Sequence, residues 1–328
     1  MENEIKEHEK VDGKGSLLPA AVLLVLVVGI NFWIYTTRLP AEGSAKNDAA
    51  GPVPGESVSA LEEAVLPSQG VRIPVVWNDL GAKLVSVGAI DGEKFIALYE
   101  ERGAFTDEYR NLLLGGRTGA LVMTKDNAGY LLNLFWVLGL ASKNPILDMG
   151  EMKDPVYGGP QNFASTGGWT LAKGSAMDHY SRHLFFTLTP EQQALVDTVS
   201  RGIFRPCCGN STHFPDCNHG MAMLGLLELM ASQGVSEQEM WRAALAVNSY
   251  WFPDTYITIA TFMKNKGVEW KDVDPKEILG ANYSSAAGYR NIASQVVQPT
   301  QRHGGSGGCG VSAGQAPVAQ QKQGGCGI

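Results

Sequence analysis

The sequence predicts a mainly helical, all-α domain behind one N-terminal transmembrane helix and ahead of a Gly-rich C-terminal tail. Three observations predict it. Residues 16–37, SLLPAAVLLVLVVGINFWIYTT, carry no charged side chain, and about twenty apolar residues suffice to cross a bilayer core as helix. Between about 70 and 298, apolar residues recur at helical spacing behind cap residues, and few stretches alternate with period two. From Gln298 onward Gly, Ser and Gln dominate without an apolar pattern, which leaves too little to bury.

Taken in order, residues 1–16 read as a cytoplasmic tail with Lys6, Lys10 and Lys14, and 17–37 as the anchor, with Trp33 and Tyr35 near its far end. A cleaved signal peptide is the alternative, but the apolar run is long for one and no A-x-A site follows. The lysine bias predicts the N-terminus inside and the bulk of the chain outside the plasma membrane of a prokaryote. Residues 38–70 are rich in Ala, Gly, Pro and Ser and read as a flexible linker with one short helix near 58–65. The helical domain spans 71–298. Asp79 caps its first helix, and DGEKFIALYEERG and TDEYRNLLLGG open on acidic turns and close on Gly. DNAGYLLNLFWVLGLASKN is apolar almost all round and therefore central. TPEQQALVDTVSRGIF carries Thr189, Pro190 and Gln192 in a capping-box arrangement. After a cysteine loop at 204–220 come GMAMLGLLELMASQG, SEQEMWRAALAVNSYW and DTYITIATFMKNKG, then DPKEILG and SSAAGYRNIASQVV. Short strands fit Val71–Val76 and Ala120–Thr124. Residues 299–328 form a disordered tail containing the repeated unit GGCGV and GGCGI, with Cys309 and Cys326.

The net charge of −7 and the absence of a basic stripe exclude nucleic acid as the main partner. Gly-rich phosphate loops, G-x-S-x-G and H-E-x-x-H are absent. No nucleophile–base–acid constellation is visible.

The chemistry gathers in FRPCCGNSTHFPDCNHGM, where three of the five cysteines lie with two histidines. Cys207, Cys208, Cys217, His213 and His219 are candidate ligands for a metal ion of the Zn or Cu kind, with Asp216 as a further one. The spacing C-C-x₈-C-x-H matches no standard zinc module. Asp216 or Asn218 can cap a helix starting near His219, which puts Cys217 where unpaired N–H groups stabilise a thiolate. Two other readings stand beside the metal site. The same cysteines suit thiol–disulfide exchange, and a disulfide from Cys207 or Cys208 to Cys217 would staple two helices. In MDHYSRH, His179 and His183 share a helical face at i and i+4 and would extend the ligand set. Cys309 and Cys326 would act as a tethered second thiol site, with a metal donor or a thiol-redox protein as partner.

Residues 190–252 order a helix, a cysteine loop, a second helix and then Gly234, Ser236 and Glu239. This run resembles cysteine-rich extracytoplasmic helical modules, namely the CcmH-type cytochrome c maturation thiol proteins and the PCYCGC-motif proteins. The resemblance implies a membrane-tethered thiol or metal role for Cys207, Cys208 and Cys217. The vicinal pair and the two histidines are additions to that pattern.

Overall fold

Two helices that are apolar on every side need partners on every side, and they set the architecture. The computed structural model describes residues 56–116 and 119–296. In chain order these form α1 (Glu56–Val65), β1 (Val71–Val76), α2 (Leu80–Ser86), α3 (Gly92–Glu101), α4 (Asp107–Leu114), β2 (Ala120–Met123), α5 (Ala128–Ala141) and α6 (Pro145–Met149). There follow α7 (Ala164–Gly167), α8 (Pro190–Gly202), α9 (Asn218–Ser232), α10 (Glu237–Trp251) and α11 (Pro253–Asn265). Short helices α12 (Pro275–Ile278), α13 (Ala281–Ser284) and α14 (Ala286–Ala293) finish the described chain, and five single 3₁₀ turns lie among the connections.

The central pair is α5 and α9. Twelve of the fourteen residues of α5 and fourteen of the fifteen of α9 are buried, so neither helix has a solvent face. They approach through glycine. A Cβ on Gly225 would lie 2.5 Å from the Gly139 nitrogen and 2.5 Å from the Phe135 carbonyl, and one on Gly139 would lie 2.1 Å from the Met221 carbonyl. Backbones this close leave no room for a methyl group. The remaining helices shield this pair, and their ends follow their cap chemistry. Thr189 and Gln192 form the capping box of α8 with Pro190 at its first position, and Ser236 and Glu239 form that of α10. Gly234, Ser236 and Glu239 are thus helix-boundary residues.

The class corrects the all-α expectation. β1 and β2 pair antiparallel, with Val71 opposite Met123 and Val76 opposite Ala120, and the register is irregular between Arg72 and Val76. Pro74 lies in that interval and has no N–H to give the ladder. The Gln233 side chain accepts from the Val76 N–H and donates to its carbonyl, which ties the sheet to the end of α9. The expected transmembrane helix is also corrected: among the described residues no helix is long and apolar enough to cross a membrane. The segment 17–37 lies outside the described residues, as do the tail 299–328 with Cys309 and Cys326 and most of the linker. At Asp79 the side chain makes no cap hydrogen bond. It pairs with Lys83 at 3.0 Å instead.

One residue of α9 breaks its apolar character. Glu228 is 1% exposed, and its Oε1 accepts from the Asn144 side chain at 2.5 Å. Burial pushes its carboxyl well above the usual range, against the pull of hydrogen bonds from Asn144 and Ser142.

Two expectations follow. Gly225→Ala forces the central helices apart and costs about 1–3 kcal/mol or more by overpacking, read as a lower urea midpoint at unchanged m-value. For Glu228 the folded pKa is raised. Its contribution to stability is therefore full below the unfolded value of about 4.3 and is lost as pH rises through the folded value. Glu228→Gln removes that loss, so the variant's melting temperature relative to the parent climbs with increasing pH. A difference that is flat from acid to alkaline pH contradicts the assignment.

Candidate metal centre

The site is built at the start of α9. The loop between α8 and α9 has one β-bridge of its own, Phe204 with Ser211. Elsewhere it hangs on the surrounding helices. The Phe204 carbonyl accepts from the Asn248 side chain on α10, its N–H donates to the Leu279 carbonyl, and the Cys208 carbonyl accepts from the Ala286 N–H. The loop's far end is held by the Ser165 N–H, which donates to the Asp216 carbonyl.

Cys217 is the N-cap residue of α9, in extended conformation, and its carbonyl accepts the first helical bond from Met221. Its thiol therefore stands at the positive end of the most buried helix in the fold. The Sγ atoms of Cys207, Cys208 and Cys217 all lie within 4.8 Å of one another. Cys207 and Cys217 are 3.5 Å apart, and all three are free thiols, not disulfides. Cys208 and Cys217 are buried, and Cys207 is half-buried.

The residue that organises this cluster is Arg205, 1% exposed. Its Nε donates to Cys217 Sγ at 3.0 Å. One terminal nitrogen donates to the Asn210 carbonyl, and the other to the Phe214 carbonyl and Asp216 Oδ1. Asn210 Nδ2 bonds the second Asp216 oxygen at 2.9 Å. Gly220 makes room for this arrangement, since a Cβ there would lie 2.5 Å from the guanidinium carbon. The electrostatics follow. Hydrogen bonds from the Cys207 and Cys208 thiols, then the Arg205 charge and His219, hold Cys217 well below the ordinary thiol range despite its burial. Cys207 is raised by its hydrogen bonds to Cys208 and Cys217 and by burial. For Cys208 the bond to Cys207 lowers the pKa, but the bond to Cys217 and burial prevail and push it up to about 12. Burial opposes the Arg205 charge, yet Cys217, Cys208 and Asp216 together hold it protonated. One thiolate is thus shared among two thiols and one guanidinium.

The other ligand candidates fall elsewhere. His213 turns to α8, where its Nε2 meets Asp197 Oδ1 at 2.8 Å, and Asp197 also binds Arg201. His219 stands beside Cys217, with its ring centroid 4.4 Å from that of Phe252, but is not one of the three mutually close groups. Asp216 serves Arg205. His179 and His183 do not share a helix. Ser181 between them has φ 51°, and the segment folds back so that Ser181 and His183 donate to the carbonyls of Leu140 and Ala141. That satisfies the end of α5, which otherwise lacks donors. The two rings do meet, Nδ1 to Nε2 at 3.1 Å, but among the described residues no third ligand joins them. Residue types alone revealed the cysteines and passed over Arg205. The available signal was charge: Arg205 and Asp216 are the only formally charged residues between Ile203 and Asn218.

Comparison of the chain with models of known protein families, with curated proteins and with solved structures returns no match. The geometry defines a buried, anionic three-thiol centre that could hold a metal ion.

Arg205→Met leaves Asp216 and the Cys217 thiolate buried without their counter-charge and should destabilise the fold by about 3–5 kcal/mol. A milder variant, Asn210→Ala, keeps the fold and probes the same network. In the parent chain the thiolate ultraviolet absorbance that disappears in Cys217→Ser should titrate well below the ordinary thiol range. A Cys217 absorbance that titrates as an ordinary thiol contradicts the assigned network.

Proposed function

We propose that this protein binds a soft metal ion, of the Cu or Zn kind, through the thiolates of Cys207, Cys208 and Cys217. The observation that carries the reading is the mutual approach of three Sγ atoms around the N-cap of α9. Thiolate is the preferred donor for soft ions, and the ligand must be deprotonated to bind. Cys217 supplies the first anionic sulfur, and the protons of Cys207 and Cys208 leave as the ion enters. Arg205 orients the first sulfur through its Nε hydrogen bond, Asp216 holds Arg205 and accepts from Cys208, and neither ligates. The half-exposed Cys207 is the side from which an ion is admitted.

A second reading has its own observation: Cys207 and Cys217 are 3.5 Å apart with a thiolate beside a thiol. That asymmetry suits thiol–disulfide exchange. Cys207, the half-exposed thiol, passes its proton to the Cys217 thiolate 3.5 Å away and attacks a partner disulfide, forming a mixed disulfide and releasing one partner thiolate. Cys217 then gives up that proton and attacks Cys207 Sγ, releasing the second partner thiol. The partner gains two electrons, and the Cys207–Cys217 disulfide holds the oxidised state.

Elemental analysis with thiol counting separates the two. Full chain purified under reducing conditions should carry or accept one ion per chain, with three thiols protected and Cys217→Ser losing the ion. A chain that takes up no thiophilic ion, yet cycles between dithiol and Cys207–Cys217 disulfide at a moderate potential, refutes metal binding in favour of exchange.

A further inference from the structure

The class of guest is legible in the charges and positions of the three sulfurs; this inference rests on the three-thiolate reading above and replaces Cu or Zn by another thiophilic centre. We propose that the centre formed by Cys207, Cys208 and Cys217 is a receptor for a trivalent metalloid of the arsenite type, bound as a pyramidal three-thiolate adduct.

The first observation is the donor count. Among the described residues the mutually close group holds three thiols and no fourth Cys, His, Asp or Glu ligand atom. Tetrahedral Zn(II) needs a fourth ligand, which here water would have to supply. A trivalent arsenic centre needs none, because its lone pair occupies that position.

The second is charge. Arg205 and Asp216 form a buried ion pair, 1% and 5% exposed, that sums to zero. Three bound thiolates add three negative charges. A monovalent ion leaves two of them uncompensated, and a divalent ion leaves one. Only a trivalent centre makes the pocket formally neutral. Burying uncompensated charge is costly, so this difference favours the trivalent centre.

The third is the vicinal pair. Adjacent cysteines close a nine-membered chelate ring through one peptide unit, and with Cys217 their sulfurs gather within 4.8 Å of one another. A pyramidal centre takes all its sulfurs on one side, whereas linear and tetrahedral ions spread their ligands around the ion. Asn210 Nδ2 and Arg205 hold Asp216 beside Cys208, and the Arg205 Nε bond fixes Cys217, so the sulfurs are aimed before the ligand arrives.

Binding is an exchange without electron transfer. As(OH)₃ loses three hydroxides as three S–As bonds form. Two depart as water with the protons of Cys207 and Cys208. The third, displaced by the Cys217 thiolate, takes its proton from solvent. Arsenic remains trivalent.

The test uses the full chain carrying Cys309→Ser and Cys326→Ser, so that the triad holds its only thiols, titrated separately with sodium arsenite, Zn(II) and Cu(I). Arsenic X-ray absorption should show one arsenic per chain with three sulfur neighbours and no oxygen. Cys208→Ser should replace one sulfur by oxygen, and Cys207→Ser, at the half-exposed position, gives the same readout if Cys208→Ser fails to fold. Arsenic that keeps an oxygen neighbour in the parent, or fails to bind while Zn(II) or Cu(I) binds one per chain, overturns the metalloid assignment alone. Failure of all three probes to bind overturns the metal reading with it.

Discussion

A single buried guanidinium holds the functional end of this molecule together. The loop from Ile203 to Cys217 has almost no secondary structure to define it, yet Arg205 reaches two loop carbonyls, one carboxylate and one thiol from one position. A planar, permanently charged group with five donors in a fixed fork is suited to that task, and lysine is not. The charge does more than join chain segments. Behind the hydrogen bonds of the Cys207 and Cys208 thiols, which lower the Cys217 thiol most, it helps a sulfur anion exist where burial alone would forbid one, and that anion gives the cluster its chemistry.

The scaffold beneath is correspondingly rigid. Cys217 begins α9, and α9 is locked against α5 by glycine-to-glycine contact, so the position of its first residue follows from packing deep in the core. Gly220 and Gly225 lie on the same helix and do related jobs. One admits the arginine, the other admits the neighbouring helix. A helix of high burial thus pays twice in glycine, where propensity alone would choose alanine.

The elements with strong local chemistry were legible in the chain. Thr189, Pro190 and Gln192 announced α8, Ser236 and Glu239 announced α10, and the unbroken apolar run announced α5 as central. Sites set by distant partners were not. His179 and His183 lie at helical spacing, but the open carbonyls at the end of α5 draw that segment into a turn, and no local pattern records this. Arg205 reads as an ordinary loop residue until the loop folds back on it. The three cysteines were visible as residue types. Their convergence, and the exclusion of His213 by Asp197, depend on how α8 and α9 face each other.

Of the three sulfurs, only Cys207 is half-exposed; its two companions are enclosed. Traffic with an outside thiol therefore has a single doorway. Under the proposed metal reading, a competitor would have to displace the outer sulfur before reaching either inner one, and each inner bond could re-form while the outer one is open. Retention would then be a matter of sequence in time as well as of affinity, with the outermost sulfur leaving first and the sulfur that the arginine holds leaving last.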